Sequence, residues 1–305
     1  MSVRNPSVSQ PASLFGPVGS RRWQKRNGAP RHRATGGTPP CPGSCIVTYR
    51  TSACLAAAAA ALIATCGWWL ARDRGGAAAV GCALPPRDCT GSPAICGALV
   101  LFTPSRGPGY EDDPLDDEVA PQDSTSYLRR DLAMLVRHAA ARVACAARTW
   151  PGNGGPVVLG DMSDRTGAIP GTARGSPRHP PGTHTQGRDI DVGYFQTGTA
   201  DNRLRPICAH VADGVDHHHC LGAPARLDAA RTALFIGVLF ESPHVRAVGV
   251  DGAAAPALEA ALGALCRGGR VTPEACARVR LARETEDRGR GWFYSHHTHL
   301  HVSWR

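Results

Sequence analysis

The apolar residues of the chain follow two periods, one typical of helices and one typical of strands. Between residues 124 and 150 they recur every three or four positions, which predicts a helix with one buried face. The apolar run Val157–Leu159 predicts a buried strand. The later pattern predicts helices over 226–241, 256–267 and 272–283, and strands over 245–250 and His299–Trp304. Strands scattered among helices and long loops predict an α+β domain over residues 124–305.

Three segments precede this domain. Residues 72–123 are rich in glycine, proline and acidic residues, and we expect an exposed segment with one short strand over 98–102. Residues 51–71 carry no charge, which predicts a signal peptide or a membrane anchor. A cleaved signal, a lipid anchor and an uncleaved anchor all fit this pattern. Residues 1–50 are basic and rich in small polar residues, so they form a leader that does not fold alone, unless the start is over-called.

The positive charge of the chain belongs to this leader. The chain has 34 basic and 25 acidic residues, and eight of the basic residues lie in the first fifty positions, which leaves 26 against 25. The remainder is therefore nearly neutral and carries no nucleic-acid-binding motif. We expect no nucleic-acid partner, and membrane contact only through the N-terminal segment.

Cysteine usage predicts an exported protein. Eight cysteines follow residue 72, and none of them forms a C-x-x-C pair. An even number without that spacing favours up to four disulfides in an oxidising compartment, such as the periplasm or cell envelope. Cys208 with Cys220, and Cys266 with Cys276, could each close a local loop. Buried free thiols are the alternative, and they would require a cytosolic protein.

Two polar segments carry the candidate chemistry. In the strand His299–Trp304, alternation puts His299 and His301 on one face. The same alternation puts Asp189 and Asp191 on one face of a strand that His184 precedes by a turn. If the two strands are neighbours, His184, Asp191 and His301 converge on one metal ion.

The residue types in this set favour one zinc ion per domain. Two imidazoles and one carboxylate suit Zn²⁺, and three protein ligands leave the fourth position open, as in catalytic zinc sites. His299 is then the candidate general base. Asp161 and Asp189 could orient an imidazole from outside the ligand set, or they could be cap and turn residues. The alternative for the whole set is that these are ordinary hydrogen-bonded residues.

The motifs resemble those of a known family. The spacing H-x6-D followed distantly by H-x-H is similar to that of the LAS metallopeptidases, which include lysostaphin-like enzymes and D-Ala-D-Ala carboxypeptidases and dipeptidases. Over about residues 124–305 the chain most resembles the penicillin-insensitive murein endopeptidases of that group. The motifs that carry the resemblance are Gly160-Asp161-Met162-Ser163, His184-x-x-Gly187-Arg188-Asp189-Ile190-Asp191, Ser242-Pro243 and His296-x-x-His299-x-His301. The chain departs from the family's Ser-His-Gln-(Ser/Thr)-Gly at Thr183-His184-Thr185-Gln186-Gly187, which leaves the ligand spacing intact.

The resemblance implies both a fold and an activity. It implies a small antiparallel sheet that carries the zinc site, flanked by helices and long loops. It implies that His184, Asp191 and His301 bind zinc, while His299 and His296 are catalytic, with His296 stabilising the oxyanion. The implied partner is peptidoglycan, cut at the stem-peptide cross-link from D-Ala to meso-diaminopimelate. A D,D-carboxypeptidase or dipeptidase of the same fold and a non-catalytic envelope-binding module are the alternatives.

Other histidines have plainer interpretations. The run 217–219 has the composition of a metal site, but it lies on a loop rich in glycine and aspartate between Cys208 and Cys220. We interpret it as a solvated loop, with opportunistic metal binding as the alternative. We interpret His297 as a neighbour of the catalytic residues rather than a participant.

Overall fold

The computed structural model describes residues 82–112, 125–171, 176–288 and 292–305. The predicted leader and uncharged segment, residues 1–71, lie outside the described residues. All described residues belong to one structural unit, Arg74–Arg305. Within this part of the chain, no helix has the length and apolar character needed to cross a membrane.

The helices are α1 (Pro93–Cys96), α2 (Arg130–Ala146), α3 (Ala229–Leu239), α4 (Ala255–Arg267) and α5 (Pro273–Arg278). The apolar face predicted for α2 is buried, including Leu132, Leu135, Val136, Ala139 and Val143. The side chain of Asp228 caps α3 by accepting a hydrogen bond from the backbone N–H of Arg231. Thr272 caps α5 in the same way, and Pro273 occupies its first turn, as the sequence predicts.

The strands are β1 (Leu99–Leu101), β2 (Arg106–Gly107), β3 (Tyr110–Asp112), β4 (Tyr127–Arg129), β5 (Val157–Leu159), β6 (Asp189–Gly193), β7 (Val211–Ala212), β8 (Val215–Asp216), β9 (Val245–Gly249), β10 (Leu281–Ala282) and β11 (His299–Trp304). Seven of them form one sheet in the order β10-β9-β11-β6-β5-β3-β2. The strands β1 and β4 form a separate pair, as do β7 and β8.

The large sheet is mixed rather than wholly antiparallel. Its centre, from β9 through β11 and β6 to β5, is antiparallel, whereas β10 pairs with β9, and β3 with β5, in parallel. The prediction of a domain that mixes helices with strands is confirmed. The sheet is larger than the small antiparallel sheet we expected, because the short strands β2, β3 and β10 extend it and are too short to show an alternating pattern.

Three predicted helices are shorter than their apolar patterns, and the helix predicted over 226–241 spans Ala229–Leu239. The helix predicted over 124–150 begins at Arg130, because Tyr127–Arg129 pairs with β1 as strand β4. The helix predicted over 272–283 ends at Arg278, because Leu281–Ala282 pairs with β9. A backbone that bonds to a neighbouring strand cannot also make helical hydrogen bonds, so tertiary pairing sets both boundaries.

The segment predicted as exposed over 72–123 is described over 82–112. Its strand β1 pairs with β4, and its strand β3 pairs with β5 of the large sheet. Phe102 and Tyr110 are buried in the core, and their rings meet edge to face with centroids 5.4 Å apart. This part of the segment therefore belongs to the same unit as the residues that follow it.

One continuous core joins the apolar faces of α2, α3 and α4 to one face of the sheet. The sheet contributes Ile190 and Val192 from β6 and Leu300 and Val302 from β11, all fully buried. Because side chains alternate along a strand, the residues between these four lie on the opposite face. The polar segments singled out in the sequence are therefore supported from behind by the hydrophobic core.

Four disulfides crosslink the unit. They join Cys82 to Cys145, Cys89 to Cys96, Cys208 to Cys220 and Cys266 to Cys276. The prediction of disulfides is confirmed, and the last two pairs close the local loops that the sequence allows. These bonds are consistent with an exported protein.

Candidate metal centre

The two polar strands singled out in the sequence are neighbours in the sheet. Strand β6 pairs antiparallel with β11, and the register puts Asp191 opposite His301 and Asp189 opposite Ser303. Alternation places these four side chains on the same face of the sheet, away from the core. The two strands are therefore neighbours, as the convergence of His184, Asp191 and His301 requires.

His184 reaches this face from a tight turn before β6. The φ angles of His184, Gln186 and Gly187 are 50°, 55° and 64°, in the left-handed region that side chains rarely adopt. Glycine is required at 187, because a Cβ there would lie 2.5 Å from the backbone nitrogen of Arg129. The backbone N–H of His184 donates to Asp189 Oδ2 at 3.0 Å, so the first residue of β6 holds the turn in place.

Three ligand atoms from these elements form a small triangle. His184 Nε2 lies 3.3 Å from Asp191 Oδ1 and 3.2 Å from His301 Nδ1, and the last two atoms are 3.0 Å apart. A tetrahedral zinc ion with bonds of about 2.0 Å holds its ligand atoms about 3.3 Å apart. All three residues are buried. We call this set the sheet centre, and its donor types and spacing fit a single divalent ion.

A carboxylate outside the triangle contacts the His301 ring. Asp189 Oδ1 lies 3.2 Å from His301 Nε2 and accepts a hydrogen bond from Ser303 Oγ at 2.7 Å. With Nε2 paired in this way, Nδ1 of His301 is left to face His184 and Asp191. This is the contact that an orienting group outside a ligand set would make.

Sequence analysis missed one histidine beside the sheet centre. The ring of His179 stacks on that of His184 with centroids 3.7 Å apart, and His179 Nε2 lies 2.7 Å from Asp161 Oδ2. The carboxylate of Asp161 therefore contacts His179, while its backbone carbonyl accepts a hydrogen bond from the N–H of Asp191 at 2.9 Å. Ligand atoms of His179, His184 and Asp191 lie within 4.8 Å of one another, so these three could also hold an ion. His179 lies on a loop rich in glycine and proline, where no periodicity predicts the direction of a side chain, and its one signal is its position shortly before His184.

The charges of the sheet centre depend on each other. Burial raises the pKa of Asp191, but electrostatic interaction with the rings of His299 and His184 outweighs this effect and holds that pKa well below its usual range. Burial lowers the pKa of His301, but hydrogen bonds with Asp189 and Asp191 outweigh it and raise that pKa to about 9. Because an imidazole must be neutral to bind a metal, a proton on His301 and a metal ion compete for the same site.

His299 presents a free lone pair beside the sheet centre. The hydroxyl of Thr298 donates to the carbonyl of Ser295 at 3.0 Å, so it can accept a hydrogen bond from His299 Nδ1, 2.8 Å away. This assigns the proton of the neutral ring to Nδ1 and leaves Nε2 unprotonated. Burial lowers the pKa of His299, which favours that neutral form. Nε2 lies 3.5 Å from Asp191 Oδ2, on the side of the metal ligands.

His296 is also buried, in a different hydrogen-bonding state. Its Nδ1 lies 2.8 Å from the carbonyl oxygen of Trp292, which can only accept, so Nδ1 carries the proton. Burial lowers the pKa of His296 to about 3, so the ring is neutral at pH 7. Its centroid lies 5.6 Å from that of His299 and 6.2 Å from that of His301. The neutral ring has no proton on Nε2 to offer an oxyanion, so the role predicted for His296 requires a second proton and stays a prediction.

Comparisons with known proteins add no family to this geometry. No model of a known protein family matches the chain, and no curated protein matches it.

Proposed function

We propose that the chain is a zinc-dependent peptidase of the cell envelope that cuts peptidoglycan stem-peptide cross-links. One observation carries the proposal: three ligand atoms at the spacing of a tetrahedral ion lie beside Nε2 of His299. A purely structural zinc site usually closes with four protein ligands, whereas a catalytic site keeps a position open.

His184, Asp191 and His301 would hold the zinc ion. When bound, zinc polarises the scissile carbonyl and lowers the pKa of a bound water to about 7. Asp189 orients the His301 ring through Nε2, and Ser303 holds Asp189 in turn. Two adjacent strands with the core behind them carry Asp189, Asp191, His301 and Ser303, so the positions of these four residues are set by the sheet.

His299 would move the proton in this reaction. Its Nε2 accepts a proton from the attacking water and then gives it to the leaving amine nitrogen of the substrate. Thr298 keeps Nδ1 protonated throughout, so only Nε2 exchanges its proton. Asp191 Oδ2, 3.5 Å from Nε2, stabilises the imidazolium that forms between the two transfers.

The substrate assignment rests on the family resemblance and on the expected location. The motifs resemble those of murein endopeptidases, whose substrate is the cross-link between D-Ala and meso-diaminopimelate. The four disulfides suit a protein that works in an oxidising compartment, where peptidoglycan lies. No nucleophilic serine is needed in this mechanism, so β-lactams would have no acylation target.

The test is digestion of purified sacculi by the full chain, followed by mass analysis of the released muropeptides. We expect cross-linked dimers to be converted to monomers, and a chelator to stop this conversion. His299→Ala should retain metal without cleavage, while the matched loop variant His217→Ala should cleave like the parent chain. Release of terminal D-Ala alone would indicate a carboxypeptidase, and intact sacculi with bound protein would indicate an envelope-binding module.

A further inference from the structure

A second histidine cluster lies on a crosslinked hairpin away from the sheet centre. Strands β7 and β8 pair with Val211 opposite Asp216, and the Cys208–Cys220 disulfide closes the segment that contains them. The backbone N–H of His217 donates to the carbonyl of His210 at 2.9 Å, which brings the two sides of the hairpin together next to this pair. The hairpin therefore holds His210 and Asp216 next to each other.

Three side chains meet at the base of the hairpin. His210 Nδ1 lies 3.0 Å from Asp216 Oδ1, and the rings of His210 and His297 have centroids 5.0 Å apart. One ligand atom from each of His210, Asp216 and His297 lies within 4.8 Å of the other two. We call this set the hairpin cluster. It shares no residue with the sheet centre.

His297 supplies an independent reason to expect a ligand. The residue is only 4% exposed, yet its Nδ1 has no hydrogen-bond partner in the described part of the chain. A buried polar atom without a partner destabilises the folded protein. A bound ion would satisfy this nitrogen and would use the two ligands that the hairpin presents to it.

We propose that the hairpin cluster is a second metal site, for a divalent ion that prefers imidazole, with Zn²⁺ as the first candidate. Two imidazoles and one carboxylate suit this class of ion. His218 Nδ1 lies 3.5 Å from Asp216 Oδ1 and is the nearest further imidazole to that carboxylate. The proposed ligands therefore do not include the histidine run 217–219. They are His210 and Asp216, on the two sides of the hairpin, and the buried His297 from a distant segment.

A metal ion at the hairpin cluster would be linked to the segment that carries the candidate catalytic histidines. His297 follows His296 directly and precedes His299 by two residues. The hairpin region already contacts this segment, because Ile207 N–H donates to the carbonyl of His297 at 3.0 Å and Ser295 N–H donates to the carbonyl of His218 at 2.6 Å. An ion held by His210, Asp216 and His297 would add a direct link from the hairpin to residues 295–299.

The test counts metal ions in the full chain made in an oxidising compartment. After equilibration with Zn²⁺ and desalting, elemental mass spectrometry should find two ions per chain. His210→Ala and Asp191→Ala should each reduce this number to one, and the double variant should bind none. His217→Ala is the matched control, because it removes a histidine from the same loop but not from the cluster, and it should bind two.

A second measurement separates a specific site from a folding defect. In the Asp191→Ala background, zinc should slow amide hydrogen exchange over residues 209–219 and 295–298, and the additional change His210→Ala should remove this protection. One ion in the parent chain that persists in His210→Ala and is lost in Asp191→Ala would overturn the proposal. Because the two clusters share no residue, that result would leave the proposed peptidase function intact.

Discussion

The sheet centre and the hairpin cluster use the same residue types in opposite settings. The ligands of the sheet centre are all buried, and two of them stand opposite each other on paired strands in the middle of the large sheet. The hairpin cluster draws two partly exposed ligands from a two-stranded hairpin and only one from a buried position. The sheet centre is therefore built by the fold, whereas the hairpin cluster depends on a local crosslink.

This contrast implies that ions bound at the two clusters would have different roles. An ion at the sheet centre would stand beside Nε2 of His299, which suits chemistry. An ion at the hairpin cluster would join a surface hairpin to the segment that holds His299, which suits positioning.

The largest effect should come from the ligands on the sheet. In a His210→Ala background, which leaves only the sheet centre to be counted, His301→Ala should lose the bound metal and all cleavage. His179→Ala should keep the metal. Nδ1 of His301 lies 3.2 Å from His184 Nε2 and 3.0 Å from Asp191 Oδ1, whereas the ligand atoms of His179, His184 and Asp191 are within 4.8 Å of one another. Metal content by elemental mass spectrometry checks both variants. The reverse pattern would make His179 the third ligand.

A large but separable effect is expected at His299. His299→Ala should retain the metal at the sheet centre and lose about 10²–10⁴-fold in cleavage rate, the usual range for loss of a general base. Thr298→Val is a milder companion, since it removes the acceptor that keeps the proton on Nδ1 while leaving the ring present. Rates on sacculi, with metal content measured on the same samples, provide the check. Full activity of His299→Ala would refute its role as the base.

The hairpin crosslink should matter to one cluster and not to the other. Replacing Cys208 and Cys220 together by serine should weaken zinc binding at the hairpin cluster several-fold, because the closed loop no longer restricts its two exposed ligands. The sheet centre should be unchanged. The matched control replaces Cys266 and Cys276, which close a loop of similar length between α4 and α5. Competition titration with a zinc-binding dye measures both affinities, and an equal loss at both clusters would contradict the distinction.

A metal ion should also compete with a proton at the sheet centre. Since carboxylates raise the pKa of His301 to about 9, its ring is protonated at pH 7, and a metal ion must displace that proton. Affinity at the sheet centre should therefore rise with pH up to about 9 and then level off. Calorimetry of the His210→Ala variant in buffers of different ionisation enthalpy should detect about one proton released per metal ion at pH 7. A release that does not decline above pH 9 would contradict this assignment.

The sequence predicted the parts of the molecule in which a period fixes the direction of a side chain. Alternation along β6 and β11 was enough to bring Asp191 and His301 to one face, and helical spacing located the buried face of α2. Outside such periods, only the motif spacing located a site residue, His184 on the turn before β6. His179 lies on a loop, so its stacking on His184 follows from the tertiary fold alone.

Tertiary pairing also explains the missed boundaries and the hairpin cluster. Residues 127–129 continue the apolar pattern of a helix, but the neighbouring strand β1 recruits them into a sheet. We interpreted His297 as a neighbour of the catalytic residues, because the family motif includes His296 and His299 but not His297. Its contact with His210 depends on the packing of a hairpin that lies nearly ninety positions earlier in the chain. No local sequence pattern predicts this packing.

The position of β11 in the sheet bears on when the protein can act. This strand follows every other described strand in sequence, yet it lies between β9 and β6 at the centre of the sheet. It carries His301, 110 residues after the Asp191 that it contacts, and His299 as well. During synthesis, His299 and His301 therefore cannot join Asp191 until the other described strands have emerged. The proposed metal site would be among the last parts of the sheet to assemble in the nascent chain.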